Sequence, residues 1–380
     1  MSYVFAMVSN EFHIAPMQCY TNQPFRKLVG YLSPTSIKYT EMEKVDDLLP
    51  NIEASLHKRL DGEQDDSNLV LQLGSNDAKK IEKCVRIASL NYPNLREVNL
   101  NCGCPAINTG GASTYGASLM KDSSLTSQLV ESMCSATDID ISVKCRIGVF
   151  DNTDDVHTLD ETDYTYLSNY ISSIHNAGAK HVILHARPAI LSLNPFKNRQ
   201  IPILNYGVVN QIASDFDGKV KITMNGGINS IHELSSFQKV ESTNIHSHMS
   251  GRWILRRPLD LIQIEQSLDN NRIKMDPIEG VERYIDYALA NVSNFPMSEL
   301  CLPIYLIVEQ LREDYEKEEE TLSWEEMENI HDIIQDGLIQ LGSDNVNTSH
   351  SINFKKLATS FKSLVGKKVV NKWKRNRSEL

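Results

Sequence analysis

The chain reads as an α/β fold, a (β/α)8 TIM barrel followed by a smaller all-helical C-terminal domain. Three observations predict it. Short runs rich in β-branched and apolar residues alternate with stretches of helical spacing, the pattern of parallel strands joined by helical crossovers. Eight such runs fall within roughly 260 residues, the length that a barrel of this type requires. Beyond about Pro258 the strand rhythm stops and only helical periodicity remains.

The strands are expected at Phe12 to Ala15, Ser36 to Tyr39, Leu69 to Leu73, Glu97 to Leu100, Ile139 to Cys145, His181 to Leu184, Val220 to Met224 and Ile245 to Met249. Between them, Ala78 to Leu90 places Ile81, Val85, Ile87 and Ala88 at helical spacing, and Tyr166 to Ala177 runs into Gly178, a natural helix stop. No G-x-G-x-x-G follows the first strand, which argues against a doubly wound open sheet. Ile278 to Asn291, Leu302 to Lys317, Trp324 to Leu341 and Phe354 to Trp373 have helical period, and the polar run Ser343 to Ser351 reads as a connecting loop. The expected domains are therefore a barrel over 1–265 and a helical domain over 266–380.

Composition narrows the function classes. The 380 residues are 41% hydrophobic and 23% charged, which excludes a disordered or fibrous chain. No run of about 18 apolar residues occurs, so no membrane span is expected. The start lacks a basic n-region and a long apolar stretch, and the seven cysteines are odd in number and scattered. Together these point to a reducing, cytoplasmic setting. The net charge is −11, yet its distribution is uneven. Glu309 to Asp336 is strongly acidic, whereas Lys355 to Arg377 carries Lys and Arg with no acid among them. A polyanion is repelled by the body as a whole and drawn to the basic tail and to local basic patches.

Barrels of this kind carry their chemistry at the C-terminal ends of the strands, with phosphates commonly after strands seven and eight. Those ends hold Pro16-Met17-Gln18, then Gln72, then Asn101-Cys102-Gly103-Cys104-Pro105. Lys144-Cys145-Arg146, His185, Asn225-Gly226-Gly227 and Gly251-Arg252 follow. The glycines after strands seven and eight let backbone N–H groups approach a phosphate, and Arg252 adds charge. No second cysteine pair has zinc-site spacing relative to Cys102 and Cys104, so no metal is expected. A thiol of ordinary acidity is mostly protonated at neutral pH and can serve as a general acid. Cys102, nearer the strand, reads as a packing residue.

Several of these runs resemble one family. Ala15-Pro16-Met17-Gln18-Cys19-Tyr20-Thr21-Asn22-Gln23-Pro24-Phe25-Arg26 is similar to the opening motif of the tRNA-dihydrouridine synthases, as are Tyr39-Thr40-Glu41-Met42 and Leu71-Gln72-Leu73-Gly74. The most specific match is Asn101-Cys102-Gly103-Cys104-Pro105, followed at the family's distance by Gly116-Ala117-Ser118-Leu119-Met120. Val143-Lys144-Cys145-Arg146-Ile147-Gly148 and Asn225-Gly226-Gly227-Ile228 keep the family's order. His185-Ala186-Arg187 and Pro195-Phe196-Lys197-Asn198-Arg199-Gln200-Ile201-Pro202 resemble the bacterial A-type branch, and Lys372-Trp373-Lys374-Arg375 resembles its basic closing helix in character. The sequence departs from the family at Ala106-Ile107-Asn108-Thr109, which lacks a basic residue, and at Trp253, where a smaller residue is usual. The acidic stretch Glu309 to Asp336 has no counterpart in the family.

The resemblance implies an FMN enzyme that reduces the C5=C6 bond of uridine in the tRNA D loop, with NADPH as electron donor. It implies Cys104 as the proton donor. Cofactor contacts are implied for Pro16, Met17, Gln18, Gln72, Lys144 and His185, and phosphate contacts for Asn225, Gly226, Gly227, Gly251 and Arg252. Asn101, Arg146 and Arg187 are expected to orient the base. Lys197, Arg199 and Lys374 are expected to hold the RNA. A uracil within folded tRNA must be splayed out to reach such a pocket. A monomer is expected. Two other readings share parts of this pattern: an FMN barrel acting on a free pyrimidine, and a tRNA-binding relative without catalysis.

Overall fold

A computed structural model describes residues 11–60, 62–105, 115–238, 244–268 and 277–318. Its strands are β1 (Phe12–Ile14), β2 (Ile37–Lys44), β3 (Leu69–Gly74), β4 (Glu97–Cys102), β5 (Asp140–Arg146), β6 (His181–His185), β7 (Lys221–Asn225) and β8 (Ser247–Ser250). They close into a parallel barrel in chain order, β8 pairing with β1 through Phe12 opposite His248 and Ile14 opposite Ser250. All the expected strands are present, displaced by a few residues at their ends. A short parallel pair, Val149–Phe150 with Ala189–Ile190, extends beyond the ends of β5 and β6.

The helices are α1 (Gln23–Leu32), α2 (Ile52–Leu60), α3 (Ala78–Asn91), α4 (Ser123–Ala136), α5 (Glu161–Asn176), α6 (Tyr206–Asp215), α7 (Ile231–Gln238), α8 (Arg252–Arg256), α9 (Asp260–Leu268), α10 (Pro277–Ala290) and α11 (Met297–Glu318). Several begin on a side chain that accepts from the first-turn N–H groups: Asn22 for α1, Asp77 for α3, Asp122 for α4, Asp160 for α5 and Asn205 for α6. Each such cap contributes about 1 kcal/mol and fixes where the loop turns into helix. The helices expected at Trp324 to Leu341 and Phe354 to Trp373, and the basic tail with Lys374, lie outside the described residues. No helix among the described residues is long and apolar enough to cross a membrane.

Strand alternation divides the side chains of the barrel into two sets. Val98, Leu100 and Cys102 of β4, Ile141, Val143 and Cys145 of β5, and Val182 and Leu184 of β6 join one core with Ile81 and Val85 of α3, Leu129 and Met133 of α4, and Ile171 of α5. The inner set is largely polar. Glu97, Asn99, Asn101, Gln72, Ser142, His181, Thr223 and Ser247 are all buried, beside a small apolar group of Ala15, Ile37, Tyr39, Val70, Ile183 and Met249.

Two compact units result. Of the described residues, those up to Cys19 and within Ile37–Gly251 form the barrel unit, and those within Tyr20–Ser36 and from Arg252 onward form the other. In the second unit α1 packs on α9, α10 and α11. Gly280 of α10 lets the helices approach closely: a Cβ there would lie 2.8 Å from the Tyr31 carbonyl oxygen. A polar knot ties the unit together. The Trp253 indole N–H donates to Asp260 at 2.8 Å, Arg257 bonds both Asp260 and Asp314, and Gln310 donates to Asp260 at 2.9 Å. The size of Trp253 is thus accounted for within this unit, where the side chain is fully buried and its one polar atom is satisfied.

The N-terminal ends of the barrel strands hold buried ionisable groups. His181 meets the Glu97 carboxylate at 3.0 Å and Thr223 at 2.7 Å, and His13 meets the Tyr39 hydroxyl at 3.3 Å. Burial pushes His13 down to about 4, against the raising contact of Glu11, and burial likewise takes His248 to about 4. For Glu97, burial pushes upward but the His181 ring, with hydrogen bonds from His181 and Ser142, outweighs it and holds the acid at about 2. Both histidines are depressed below their unfolded value, so the unfolded chain binds more protons and stability is lost as pH falls from 6.5 through 4. Glu97 loses its contribution lower still, from 4.5 toward 2. The thermal midpoint, followed by circular dichroism, is expected to fall steadily between pH 6.5 and 4, each histidine accounting for on the order of 3 kcal/mol. A level midpoint down to pH 4 contradicts this account.

Candidate active site

The C-terminal ends of the barrel strands bring most of the sequence-predicted residues into the barrel unit. Asn101 is the last inward residue of β4, and its side-chain oxygen accepts from the backbone N–H of Gly103 at 3.1 Å and of Cys104 at 3.0 Å. Its amide nitrogen donates to Gln72 of β3 at 2.9 Å. Arg146, at the end of β5, holds the same loop from the other side through Nε to the Gly103 carbonyl at 3.0 Å. The loop carrying Cys104 is therefore pinned twice. Gly116 closes it: its φ of +72° suits glycine, and a Cβ would lie 2.6 Å from the Cys104 carbonyl oxygen. Cys104 remains partly accessible, whereas Cys102 is buried and its thiol is pushed up to about 12 by burial.

Lys144 projects from the inner face of β5 and donates to Asn225 of β7 at 3.0 Å, and Asn225 donates in turn to the Met249 carbonyl at 2.9 Å. Burial, with Arg146 nearby, lowers the ammonium to about 8. Among the described residues no carboxylate pairs with it. A half-buried lysine in this state gains from an anionic or electron-rich partner.

After β7 the chain turns through Gly226 and Gly227, both at positive φ. A Cβ at Gly226 would lie 2.6 Å from the His185 ring, and one at Gly227 would lie 2.1 Å from the Tyr206 hydroxyl. Tyr206 donates that hydroxyl to the Gly226 carbonyl at 3.0 Å, a contact the sequence reading did not anticipate. At the end of β8, a Cβ on Gly251 would lie 2.8 Å from the Met17 sulfur, which ties the loop after β1 to this corner. Pro16 and Met17 are partly buried there and Gln18 is exposed. Cys19 follows in a left-handed conformation, φ +66°, with its N–H donated to Glu41. Arg252 is exposed and opens α8, which is counted with the second unit.

Around Cys104 the charges are positive. Burial lowers Arg146 to about 10, with the Cys104 thiol acting against that and Arg199 and Arg187 adding repulsion. Arg187 donates to the Pro202 carbonyl, and its Nε is buried with no partner. Arg199 lies on the one-turn helix Lys197–Arg199, which Asn198 fastens by bonding Ile190 in both directions at 2.8 Å. Among the described residues none of Arg146, Arg187, Lys197 and Arg199 has an acidic partner. Such a set, on a protein of net charge −11, suits an anionic ligand. Asn99 and Ser142 also belong to this constellation, and the only signal of them in the sequence is alternation, Asn99 with Asn101 along β4 and Ser142 with Lys144 along β5.

Residues 13–340 match the family model described as dihydrouridine synthase, a span that includes the acidic stretch Glu309 to Asp336 and so corrects the expectation that this stretch stands apart from the family. The chain is 32% identical over 262 residues to the tRNA-dihydrouridine(20/20a) synthase of Shewanella oneidensis, covering 68% of this chain and 71% of that one. It is 34% identical over 263 residues to the enzyme of the same name from Pseudomonas syringae, covering 69% and 72%, respectively. With that from Xanthomonas campestris it shares 31% over 281 residues, 73% of this chain and 77% of the relative.

The cradle at Gly226 and Gly227 gives a direct test of the geometry. Gly227→Ala is expected to lower stability by about 2–4 kcal/mol in urea unfolding, from the positive φ and the clash with Tyr206 together. Tyr206→Phe should relieve part of the clash. Equal loss with and without Tyr206→Phe would assign the cost to the backbone and to Leu204, whose side chain a Cβ would meet at 2.6 Å.

Proposed function

The chain belongs to the dihydrouridine synthase family, and on that premise we propose that Cys104 supplies the proton when a tRNA uridine is reduced at a flavin held against Lys144. The chain is a tRNA-modifying oxidoreductase that reduces uridine to dihydrouridine, and its family is flavin-dependent. The finer readings are our own: FMN as the flavin, NADPH as the electron donor, the cytoplasm as the setting, and D-loop positions 20 and 20a as targets, as in the names of the relatives.

The residues fit such a cofactor. The two glycines at positive φ let the turn after β7 pass close against His185 and Tyr206 with its backbone bare of side chains, and among the described residues Lys144 lacks an acidic partner. Lys144 would lie against the electron-rich edge of the flavin ring and balance charge that develops there. Gln72 and His185 would meet the ring or ribityl chain, with Pro16, Met17 and Gln18 along its side. The N–H groups near Asn225, Gly226, Gly227 and Gly251 would take the phosphate, and Arg252, next in the chain, would add charge. When bound, a flavin supplies the hydride that adds to C6 of the uracil.

The chain's own residues do the rest. Cys104 donates its proton to C5 and is left as a thiolate, which the Arg146 guanidinium favours electrostatically. Asn101, whose amide oxygen is committed to the Cys104 loop, keeps one amide hydrogen for the base. Arg187 has a buried Nε still to satisfy and would orient the uracil, and Lys197 and Arg199 would hold the backbone of the RNA. The basic segment that includes Lys374 would add phosphate contacts. The single observation that supports this division of labour is the doubly pinned Cys104 loop among cations that have no acidic partners within the described residues. These cations favour tRNA over a free pyrimidine, which has no use for Lys197 and Arg199.

The purified protein should show flavin absorption bands that bleach with NADPH and return on adding unmodified tRNA. Bands that return only with a free pyrimidine would overturn the tRNA reading. Cys104→Ala should keep the bands and the bleaching while slowing their return about 10²–10⁴-fold. An unchanged rate removes Cys104 from proton transfer. Arg199→Ala should reduce the slope of log affinity for tRNA against log salt by about 1, with NADPH oxidation intact. An unaltered slope would remove Arg199 from phosphate contact.

A further inference from the structure

The inner face of the barrel unit holds a continuous chain of side-chain hydrogen bonds that ends on the Cys104 loop. The backbone N–H groups of Gly103 and Cys104 can only donate, so the Asn101 side chain must turn its oxygen to them, at 3.1 and 3.0 Å. That turns its nitrogen toward the Gln72 oxygen at 2.9 Å. Gln72 must then offer its nitrogen to the Asn99 oxygen, at 2.8 Å, and Asn99 its nitrogen to the Ser142 oxygen, again at 2.8 Å. The Ser142 hydroxyl proton is then turned away from Asn99, on the side of the Glu97 carboxylate, whose acidity it raises. Glu97 can only accept, and His181 holds it at 3.0 and 3.1 Å.

The chain therefore has one polarity. Each amide has a single allowed orientation, fixed from the loop end by two backbone donors. Asn99 and Ser142 are fully buried, and neither reaches the loop itself. Any influence they have on Cys104 passes through Gln72 and Asn101.

We propose that Asn99, backed by Ser142, is a positioning residue for uridine reduction: it locks the Gln72 amide and, through it, the Asn101 side chain that sets the Cys104 backbone. This rests on the proposed role of Cys104, but its physical content is separable, because a loosened loop changes the reactivity of the thiol whatever the reaction is.

The test compares Asn99→Leu and Ser142→Ala with the wild-type flavoprotein. Asn99→Leu removes both bonds while keeping the number and branching of the side-chain heavy atoms. Ser142→Ala removes one oxygen and serves if the first variant fails to fold, as judged by thermal unfolding. Two readouts are used. The first is the rate of iodoacetamide alkylation at Cys104 relative to exposed Cys19, resolved by peptide mass mapping. The second is kcat and KM for unmodified tRNA. The expected result is a Cys104/Cys19 alkylation ratio raised at least fivefold, with kcat lowered tenfold or more and KM for tRNA within twofold of wild type. A folded variant whose alkylation ratio stays within twofold of wild type overturns the proposal, as does a loss carried by KM alone. If wild type itself made no dihydrouridine, the proposed function would fail while the alkylation ratio would still decide whether Asn99 positions the loop.

Discussion

A closed barrel lined with amides and carboxylates has to satisfy them from within. An unpartnered buried polar group costs about 1–3 kcal/mol, comparable to a large part of the net stability of a domain. Here the inner faces of β3, β4 and β5 meet that demand pairwise, Gln72 with Asn99 and Asn101, and Asn99 with Ser142. The strand register makes it possible, since Gln72 stands opposite Asn99 and Asn101 opposite Lys144. The apolar contacts that hold the barrel to its helices lie on the other face of the same strands. Packing and polar satisfaction are thereby assigned to opposite sides of one sheet, and neither has to compromise for the other.

The sequence disclosed this division unevenly. Glu-Val-Asn-Leu-Asn-Cys over β4 and Asp-Ile-Ser-Val-Lys-Cys-Arg over β5 alternate strictly, so the strands and their two faces were legible. Gly226-Gly227 was legible as a glycine turn at the end of a strand, and both residues take the positive φ that excludes most side chains. The amide chain was not, because it depends on which residues of neighbouring strands face one another. Tyr206 was missed for the same reason: its hydroxyl reaches Gly226 across 20 residues of sequence. Nothing in the local pattern of α1 shows that its neighbours are α9, α10 and α11. The size of Trp253 became intelligible only once Asp260 was seen accepting its N–H.

Net charge proved a poor guide to the site. The chain is acidic, yet Arg146, Arg187 and Arg199 repel one another close to Cys104, and Arg146 is satisfied by the carbonyls of Gly103 and Pro188 in place of an acid. Carbonyl partners keep a guanidinium ordered without cancelling its charge. The cost is visible in the lowered values of Arg146 and Lys144, and it is the kind of strain that an anionic ligand relieves. The acidic remainder of the surface discourages indiscriminate binding of nucleic acid.

The membership of α1 in the second unit has a consequence for how the protein is made. During synthesis α1 leaves the ribosome early, but α10 and α11, against which it packs, follow roughly 250 residues later, which at 5–20 residues per second is a wait of about 12–50 s. Through that interval the apolar face carrying Phe25, Leu28, Val29 and Leu32, all buried in the finished unit, lacks those partners. The nascent chain thus carries an early apolar helix that must be sheltered until the last one emerges, and premature termination anywhere in the barrel leaves it uncovered.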